Sequence, residues 1–576
     1  MTSFQVEEFP FDLASVQARL PLDSRYGNWP VVYTLTNAGE IYVGESINVA
    51  GRLRQHLESP TKKHLTGVRV VLDATFNKSA SLDLESYLIR LLAGDGQFQV
   101  LNRNEGITNA DYYGRAEYQR TFDEVFDELR RLGMFTRQVR EIENSDLFKL
   151  SPFKALTADQ ELAIENILNG LFEDLAAART SEIVIQGDPG TGKTVVGIYL
   201  MKLLSDIEAA DPTIEPDSDT LLSEFFVEGY AELLRDFRVG LVVPQQSLRT
   251  SIQKVFRKTP GLDATSVLTP FQVGASNVRF DLLIVDEMHR LNQRANQPSG
   301  PQNRQFIDIN EKLFGADDPS KTQLDWIRAQ SDHRIFLLDA AQSVIPADLS
   351  RRTINEVVAR ASAGSRRYRL SSQMRVAAGS DYVGYIRGML SGQPPAASKF
   401  PLYDLRFFGD AAELRRQILA RNSEVGLSRL VAGYAWEWRS KNDRTASDIE
   451  LDGLRLQWNQ TQVDWVNSPS SINEVGSIHT IQGYDLNYAG VIIGNDLRYD
   501  PQRRVIVFDR TNYFDARGKQ NNKQLGITYS DDDLLQFIVN IYAVLLTRGI
   551  LGTYVYVCDP HLREYLKPYF SQGESS

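Results

Sequence analysis

The segment EIVIQGDPGTGKTVVGIYL (residues 182–200) joins a β-branched run to a glycine-rich turn and then to an apolar stretch of helical character. Glycines at such a turn let backbone N–H groups surround a phosphate, and the helix that follows adds its positive end. Lys193 is placed to reach the β- and γ-phosphates of a nucleotide, and the hydroxyl of Thr194 is placed to bind Mg²⁺. The segment therefore predicts a strand, a phosphate-binding loop and a helix. Its predicted nucleotide-binding residues are Gly187, Asp188, Pro189, Gly190, Thr191, Gly192, Lys193 and Thr194.

A second apolar run, DLLIVDEMHRL (residues 281–291), ends in two adjacent acids. In open parallel sheets, ligands bind at the carboxyl ends of the strands, which is where these acids would emerge. Asp286 fits a direct or indirect partner of Mg²⁺, and Glu287 fits the base that orients an attacking water. The two segments together predict an ATP-hydrolysing site.

Five further segments could supply groups to the same site, although each is a weak pattern when taken singly. Glutamine near the start of a helix could read the adenine edge, and arginines are suited to stabilise charge on a transferring γ-phosphate. The candidate residues are Gln160 in LTADQELAIENIL, Gln342 in LLDAAQSV, Arg375 in RLSSQMR, Gly483 in IHTIQGYDLNYAGVIIG and Arg548 in YAVLLTRG.

Short β-branched runs alternate with helical segments through the central part of the chain, which indicates doubly wound parallel sheets. An acidic stretch at about residues 205–237 interrupts the alternation and is predicted to be a surface insertion. The polar run LNQRANQPSGPQNRQ (residues 291–305) is predicted to be another loop or insertion. Before the phosphate-binding loop, AEYQRTFDEVFDELRRLG predicts a helix that docks on a neighbour through one apolar face. That face carries Phe122, Val125, Phe126 and Leu129.

The bulk composition describes ordinary folded domains, with 42% apolar and 24% charged residues among 576. The net charge of −11 gives no global attraction to nucleic acid, so any phosphate-binding surface must be a local patch. One such patch is the stretch from Arg351 to Arg369, where six arginines accompany a single acid; it is either a strand-binding groove or a solvated helix face. A single cysteine and no long apolar run indicate a cytoplasmic protein without a membrane span.

The N-terminal stretch VVYTLTNAGEIYVGES (residues 31–46) predicts a β-hairpin with a tyrosine on each strand. Arg52 and His56 follow four residues apart, which places both on one face of a helix. Glu85 lies in an apolar helix, where a carboxylate is either a surface group or a metal ligand. Phosphodiester cleavage requires a base, a cation for the phosphate and a hard-oxygen metal site, and these residues could supply all three.

From Leu156 to the end, the sequence resembles the superfamily 1 helicase core, and more closely the Schlafen-type DNA/RNA helicase group. The resemblance rests on GDPGTGKT, DEMHRL, LDAAQSV, LSSQMR, RLVAGYAWEW, HTIQGYDLNYAGVIIG and LLTRG. It implies two RecA-like lobes with ATP and Mg²⁺ in the cleft between them. Arg375 and Arg548 would then reach the nucleotide from the second lobe.

Residues 30 to 105 resemble the GIY-YIG endonuclease family, with Val31-Val32-Tyr33 and Tyr42-Val43-Gly44 in place of the two signature triplets. The resemblance implies that Tyr33, Tyr42 and His56 organise or deprotonate the attacking water. Arg52 would bind the scissile phosphate. Glu85 would hold one divalent metal, Mg²⁺ or alternatively Mn²⁺, and Asn102 would brace the site.

The sequence thus predicts an α/β protein with a small α+β nuclease domain followed by two RecA-like doubly wound parallel-sheet lobes. The predicted domains are residues 1–110, a helical connector at 111–155, a first lobe at 156–365 and a second lobe at 366–576. The predicted function is an ATP-dependent nuclease-helicase or translocase acting on DNA, in bacterial anti-phage defence or repair. Two alternatives are a nucleic-acid-stimulated ATPase whose N-terminal domain only binds, and an RNA-directed nuclease-helicase. A homo-oligomer or a partner protein is left open.

Overall fold

The computed structural model describes the chain except for residues 1–3, 20, 103–110, 155, 211–221, 227–228, 296, 298, 340–343, 373–380, 393, 462–463, 482–483 and 573–576. The chain forms two compact units. Unit 1 comprises Met1–Glu161, Ile198–Arg235 and Ser251–Thr265, and unit 2 comprises Leu162–Gly197, Asp236–Thr250 and Ser266–Ser576. Within the described residues, no helix combines the length and the apolar character that a membrane span requires.

Unit 1 contains a five-stranded sheet in the order β1-β4-β2-β3-β5, antiparallel except where β3 pairs with β5. Its strands are β1 (Phe4–Pro10), β2 (Val31–Thr36), β3 (Glu40–Ser46), β4 (Gly67–Asp73) and β5 (Gln99–Val100). Its helices are α1 (Leu13–Arg19), α2 (Arg25–Asn28), α3 (Val49–Glu58), α4 (Lys78–Asp95), α5 (Arg115–Arg131), α6 (Val139–Glu143) and α7 (Asp146–Lys149). This mixed arrangement confirms the predicted α+β class of the N-terminal domain.

The hairpin of β2 and β3 lies between two cores. Val31, Tyr33 and Leu35 point into a cluster that includes Leu53 of α3, whereas Val32 points into a cluster built on α4. All six residues of β2 are buried, and because successive residues of a strand face opposite sides, both faces of the strand are covered. The two valines that depart from the signature triplet are therefore packing residues on opposite faces of the sheet.

The first sheet of unit 2 is wholly parallel, with the order β11-β6-β10-β9-β7-β8. Its strands are β6 (Ser181–Gly187), β7 (Val239–Val242), β8 (Val267–Leu268), β9 (Phe280–Val285), β10 (Ser331–Leu338) and β11 (Arg367–Leu370). The helices of this part of the chain are α8 (Ala158–Ala176), α9 (Lys193–Glu208), α10 (Tyr230–Leu233), α11 (Gln246–Lys258), α12 (Pro270–Ala275), α13 (Gly300–Phe314), α14 (Gln323–Gln330) and α15 (Arg351–Ala363). The sheet extends past residue 366, where the sequence analysis places the start of the second lobe.

The second sheet of unit 2 is also parallel, in the order β16-β13-β17-β20-β12-β21. The strands of this part are β12 (Asp404–Phe407), β13 (Ser428–Ala432), β14 (Ile449–Leu451), β15 (Leu454–Leu456), β16 (Val475–Ser477), β17 (Leu486–Ile493), β18 (Leu497–Asp500), β19 (Val505–Phe508), β20 (Gly549–Val557) and β21 (Ser571–Gln572). The helices are α16 (Asp381–Leu390), α17 (Ala411–Val425), α18 (Ile478–Ile481), α19 (Asp531–Leu546) and α20 (Pro560–Leu566). Two parallel sheets with buried apolar strands confirm the predicted α/β, RecA-like class.

The polar run at residues 291–305 is not entirely a loop, and that part of the prediction is wrong. Helix α13 begins at Gly300, and the Ser299 side chain accepts a hydrogen bond from the backbone N–H of Gln302. Pro301 lies in the first helical turn, where a missing N–H costs nothing. A polar composition therefore concealed an ordinary helix start.

Helix α5 docks through the apolar face that the sequence predicts. Phe122, Val125, Phe126 and Leu129 are all buried in the cluster that also contains the apolar residues of α4. The ring centroid of Phe126 lies 4.5 Å from that of Phe135. The first segment of the predicted connector is thus part of the core of unit 1.

We expect Phe126→Ala to destabilise unit 1 by about 3–5 kcal/mol, because a buried ring is lost and its cavity cannot close completely. Thermal unfolding and hydrogen–deuterium exchange of the α5 peptide would measure the effect. Glu124→Ala changes an exposed position of the same helix and serves as the control. Equal melting temperatures and equal exchange in the two variants would contradict the packing described above.

Candidate functional site

The phosphate-binding loop has the geometry that its sequence predicts. Strand β6 ends at Gly187 and helix α9 begins at Lys193, so the loop lies at the carboxyl end of a parallel strand. Gly190 and Gly192 have φ values of 88° and 77°, in the left-handed region that favours glycine. The Lys193 ammonium is buried and donates to the carbonyl oxygens of Gly187 at 2.7 Å and Asp188 at 3.0 Å.

The two predicted halves of the nucleotide site meet through one hydrogen bond. Thr194 Oγ1 donates to Asp286 Oδ2 at 3.0 Å, although 92 residues separate the two in the chain. Strand β10 lies between β6 and β9, and the carboxyl ends of all three strands reach the same edge of the sheet. A hydroxyl and a carboxylate are hard oxygen donors of the kind that Mg²⁺ prefers, so this pair fits the predicted metal.

The two acids at the end of β9 have opposite electrostatic character. Burial, together with the charge of Glu287, raises the pKa of Asp286 above its usual range. Burial would also raise the pKa of Glu287, but the charges of His289, Lys193 and Arg548 lower it. The negative charge of Asp286 is therefore costly until a cation compensates it, whereas Glu287 is held as a carboxylate.

His289 is a residue of this site that the sequence analysis missed. Its Nε2 lies 2.9 Å from Glu287 Oε2, and the ring is completely buried. Glu287 itself adopts a left-handed backbone conformation, with φ 47° and ψ 47°, which is uncommon for a residue other than glycine. The single turn Met288–Arg290 that follows places the imidazole beside the carboxylate. The motif DEMHRL contained this signal, since a histidine stands two residues after the glutamate.

The second lobe contributes two arginines, one predicted and one not. Arg548 is 2% exposed, donates from Nη1 to the carbonyl oxygen of Tyr484 at 3.3 Å, and lies close enough to Glu287 to lower the pKa of that carboxyl. Arg387 of α16 donates from Nη1 to Asp188 Oδ1 at 3.2 Å and from Nη2 to Asp339 Oδ1 at 3.5 Å. Arg387 therefore joins the second lobe to the phosphate-binding loop and to the residue that follows β10.

The roles of the remaining candidates of the nucleotide site stay predictions. Gln342, Arg375 and Gly483 lie outside the described residues. Gln160 is buried in unit 1, where its Oε1 accepts a hydrogen bond from the backbone N–H of Thr157 at 3.0 Å. This bond closes the first turn of α8, and a role in reading adenine stays a prediction.

The candidate site of unit 1 is centred on Tyr33 and His56. The phenol oxygen of Tyr33 lies 2.7 Å from His56 Nε2, and both side chains are buried. The Tyr42 ring centroid is 6.3 Å from that of Tyr33 and 5.2 Å from that of His56. Strands β2 and β3 supply the tyrosines, and one face of α3 supplies His56 with Arg52 one turn earlier. The structure thus brings together residues that the sequence separates.

Arg52 and Glu85 both act electrostatically on the Tyr33 hydroxyl. Burial raises the pKa of Tyr33 well above its usual value; the charge of Glu85 adds to this effect and that of Arg52 opposes it. Tyr33 is therefore a neutral phenol at neutral pH, with a cation and a carboxylate near it. A neutral phenol cannot act alone as a base, which makes its contact with His56 chemically important.

Asn102 holds β3 from its edge. Its Oδ1 accepts from the backbone N–H of Val43 at 3.0 Å, and its Nδ2 donates to the Val43 carbonyl oxygen at 2.8 Å. The amide thus replaces a neighbouring strand at the residue between Tyr42 and Gly44. These two bonds fix the position of β3, and the role of Asn102 in bracing a nuclease site stays a prediction.

Gly44 is required by Tyr33. The two residues pair across β2 and β3, and a Cβ atom on Gly44 would lie 2.5 Å from the Tyr33 hydroxyl oxygen. Real Cβ atoms do not approach oxygen so closely, so only glycine leaves room for the phenol. The last residue of the Tyr42-Val43-Gly44 triplet is therefore part of the site's shape.

The metal predicted at Glu85 would have at most two histidine, cysteine or acidic ligands among the described residues. Among the described residues, no group of three or more histidine, cysteine or acidic side chains has the geometry to hold a metal ion. Mg²⁺ is commonly bound through one or two carboxylates, with water and substrate phosphate completing its shell. Glu85, half-buried on α4 and near Tyr33, fits a metal of that kind.

Known protein families match both the N-terminal domain and the longer region that follows it. The model of the Schlafen group 3, DNA/RNA helicase domain matches residues 180–559, and that of the GIY-YIG catalytic domain matches residues 30–94. Both resemblances expected from the sequence are thereby confirmed. The uncharacterized protein YPL245W of Saccharomyces cerevisiae is 26% identical over 445 residues, which cover 71% of this chain and 90% of that protein.

Two further similarities are more limited. The ATP-dependent DNA helicase RecG of Aquifex aeolicus is 30% identical over 145 residues, which cover 24% of this chain and only 17% of RecG. Among solved structures, the Pif1 helicase from Bacteroides in complex with ADP-AlF3 and ssDNA is 10% identical with a TM-score of 0.27, covering 70% of this chain and 92% of that one.

We expect Gly44→Ala to displace the Tyr33 hydroxyl from His56 and to destabilise unit 1 by about 1–3 kcal/mol through overpacking. Thermal unfolding would measure the stability, and a crystal structure would measure the displacement. Gly39→Ala, in the turn of the same hairpin, is the matched control because nothing lies within 4 Å of its added Cβ. The steric argument would be wrong if Gly44→Ala left the Tyr33–His56 distance unchanged and were as stable as Gly39→Ala.

Proposed function

Because this chain belongs to the family of Schlafen group 3 DNA/RNA helicase domains and also carries a GIY-YIG domain, we propose that it is an ATP-dependent nuclease-helicase acting on DNA. Unit 2 would hydrolyse ATP and move along the nucleic acid, and the N-terminal domain would cleave it. The observation that carries this proposal is the presence of two clusters of potentially reactive side chains in one chain. One contains the Thr194–Asp286 hydrogen bond, and the other contains the Tyr33–His56 contact.

In the nucleotide site, the loop residues would bind the phosphates and Lys193 would reach the β- and γ-phosphates. Thr194 and Asp286 would hold Mg²⁺, which supplies positive charge against the phosphate oxygens. Glu287, kept ionised by its cationic neighbours, would orient the attacking water. Arg548 would approach from the second lobe, where a guanidinium can stabilise charge on the transferring phosphoryl group.

In the nuclease site, Tyr33 and His56 would work as a proton relay. Since burial keeps the phenol neutral, Tyr33 would pass its own proton to His56 Nε2 while it takes one from the attacking water. The water oxygen forms a bond to phosphorus as the bond to the leaving oxygen breaks. Arg52 would bind the scissile phosphate, and Glu85 would hold the divalent metal, which stabilises the charge of the leaving group.

A motor joined to a nuclease fits defence of a bacterium against foreign DNA, or DNA repair, and this part of the proposal rests on the architecture alone. Cleavage of labelled DNA and RNA strands, compared with and without ATP, would test the substrate class. ATP hydrolysis stimulated by nucleic acid, without cleavage under Mg²⁺ or Mn²⁺, would instead favour a protein that senses or remodels its substrate.

We expect Glu85→Gln to reduce cleavage at least about 100-fold, because the metal loses its protein carboxylate, while strand-stimulated ATP hydrolysis is kept. Lys193→Ala should abolish ATP hydrolysis, because the loop loses its contact with the β- and γ-phosphates. Both activities would be measured on the same DNA substrate. Glu124→Gln, an exposed glutamate of the same unit, is the matched control. Cleavage by Glu85→Gln at the wild-type rate would refute the nuclease assignment.

We expect Arg387→Ala to lower kcat/KM for ATP roughly tenfold, because the second lobe loses its contact with the phosphate-binding loop. Arg387→Lys should recover part of the loss, since it restores the charge but not the two-pronged geometry. Arg352→Ala, an exposed arginine paired with Glu356 on α15, is the control. Steady-state ATP hydrolysis in the presence of DNA would measure these values. Equal kinetics of Arg387→Ala and Arg352→Ala would remove Arg387 from the site.

A further inference from the structure

A second cluster of arginines lies at the opposite end of β6 from the phosphate-binding loop. These arginines line an open cleft of about 830 Å³ in unit 2, here named the arginine cleft. Glu182 stands five residues before Gly187 on β6, which at the usual rise of a strand separates the two by about 17 Å. The cleft is therefore distinct from the nucleotide site. The arginine cleft is defined by Asp174, Glu182, Arg328, Arg334, Arg360 and Arg366.

One carboxylate in the arginine cleft faces three guanidinium groups. Arg328 makes a two-pronged contact with Glu182, with Nε to Oε1 at 2.6 Å and Nη2 to Oε2 at 3.1 Å. Arg360 Nε lies 3.4 Å from Glu182 Oε2, and Arg334 Nε lies 3.9 Å from Oε1. Burial would raise the pKa of Glu182, but these arginines lower it below its usual range. A single negative charge cannot neutralise three positive ones, so this side of the cleft is electropositive.

The other side of the cleft does not correct this imbalance. Arg366 contacts Asp174 at 3.1 Å and Glu173 at 2.7 Å, and Arg179 contacts the same two acids at 3.1 and 3.5 Å. Two arginines and two acids therefore cancel there. The positive excess of the cleft is localised around Glu182.

Arg334 is the most constrained of the three cations around Glu182. It is 8% exposed, and its Nη groups donate to the carbonyl oxygens of Ser331 at 3.1 Å and Asp332 at 2.9 Å. Its Nε, which is buried, has no hydrogen-bond partner among the described residues. Burial lowers the pKa of Arg334, because a cation in this position has lost water without gaining a full counter-charge.

We propose that the arginine cleft binds a phosphate group at a site separate from the phosphate-binding loop. Guanidinium groups match the oxygens of a phosphate in two-pronged geometry, and Arg328 and Arg360 reach the cleft from two helices, α14 and α15. A phosphate carries up to two negative charges and would compensate the excess around Glu182. The group belongs either to a nucleic-acid backbone or to a free phosphate compound, and this binding requires neither ATP hydrolysis nor cleavage.

The arginines of the stretch from Arg351 to Arg369 divide into those that line the arginine cleft and those that lie outside it. Arg360 and Arg366 turn into the cleft, whereas Arg352 pairs with Glu356 on the exposed face of α15. Arg367, at the start of the edge strand β11, binds the Gln186 side chain at 2.7 Å. The stretch is therefore neither one groove nor one solvated face, and its two parts provide a functional variant and a matched control.

The test uses the full chain with Lys193→Ala, which weakens phosphate binding at the loop equally in every variant. Pyrophosphate and a fluorescent single-stranded oligonucleotide are the two probes, measured by calorimetry and by fluorescence anisotropy. We expect Arg360→Gln to weaken at least one probe by about fivefold or more, because a charge-assisted contact to phosphate is lost. Arg352→Gln removes the same charge from the same helix outside the cleft and should change neither probe.

A second variant gives an effect of opposite sign. Glu182→Gln removes the competing carboxylate with little change of shape, so it should strengthen binding of the same probe by a few-fold. A merely structural network would lose stability in both variants and leave the binding of both probes unchanged. Melting temperatures show whether each variant folds, and Arg360→Lys should keep part of the binding if Arg360→Gln unfolds.

The two probes separate the source of the phosphate. An effect on pyrophosphate alone identifies a free phosphate compound, and an effect on the oligonucleotide alone, or on both, identifies a nucleic-acid backbone. Either result supports the proposal. If Arg360→Gln and Glu182→Gln bind both probes as Arg352→Gln does, the arginine cleft is a structural ion-pair network and the proposal is overturned.

Discussion

The hydrogen bond from Thr194 Oγ1 to Asp286 Oδ2 joins the phosphate-binding loop to the acid-bearing strand, and the geometry of the nucleotide site depends on it. It forms because β6 and β9 are parallel and end at one edge of the sheet with β10 between them. Strands two positions apart are separated by about 10 Å, a gap that one side chain from each can bridge. Burial makes the charge of Asp286 costly, and the Thr194 hydroxyl, the Lys193 ammonium and the backbone N–H of Glu287 reduce this cost. Fold and chemistry are therefore coupled at this bond.

The candidate nuclease site depends on a different constraint, which is complete burial of a hairpin. Both faces of β2 are covered, so Tyr33 is held in one position and its side chain is shielded from bulk solvent. Because Gly44 has no side chain, it leaves room for the Tyr33 ring in this position. His56 is the hydrogen-bond partner that the buried Tyr33 hydroxyl requires. Asn102 then fixes the strand that carries Gly44. Gly44, His56 and Asn102 are thus the residues that allow the Tyr33 hydroxyl to be buried with a hydrogen-bond partner.

The sequence predicted what local patterns determine. The phosphate-binding loop, the acids after β9 and the docking face of α5 each have a spacing that implies one structure, and the structure contains all three. Arg387 could not be found in this way, because α16 has the pattern of an ordinary amphipathic helix and its partners, Asp188 and Asp339, are distant in the chain. The helix start at Gly300 was missed for the opposite reason. Its polar residues resembled a loop, although Ser299 and Pro301 carried the capping signal. Tertiary partners decided the first case, and a local capping signal decided the second.

The net charge can be read from the sequence, but the positions of the charged side chains depend on the tertiary fold. A net charge of −11 predicts no attraction to nucleic acid, and the arginine-rich stretch alone did not say where its charges go. In the fold, arginines of the second lobe contact or act on acids of the first, as Arg387 does with Asp188 and Arg548 with Glu287. A nucleotide brings further negative charge to the same loop. Its phosphates would compete with Asp188 for the Arg387 guanidinium, so nucleotide binding would change the contact between the lobes directly. An ion pair between the phosphate-binding loop and the second lobe is a direct physical link between an anion bound at the loop and the position of that lobe.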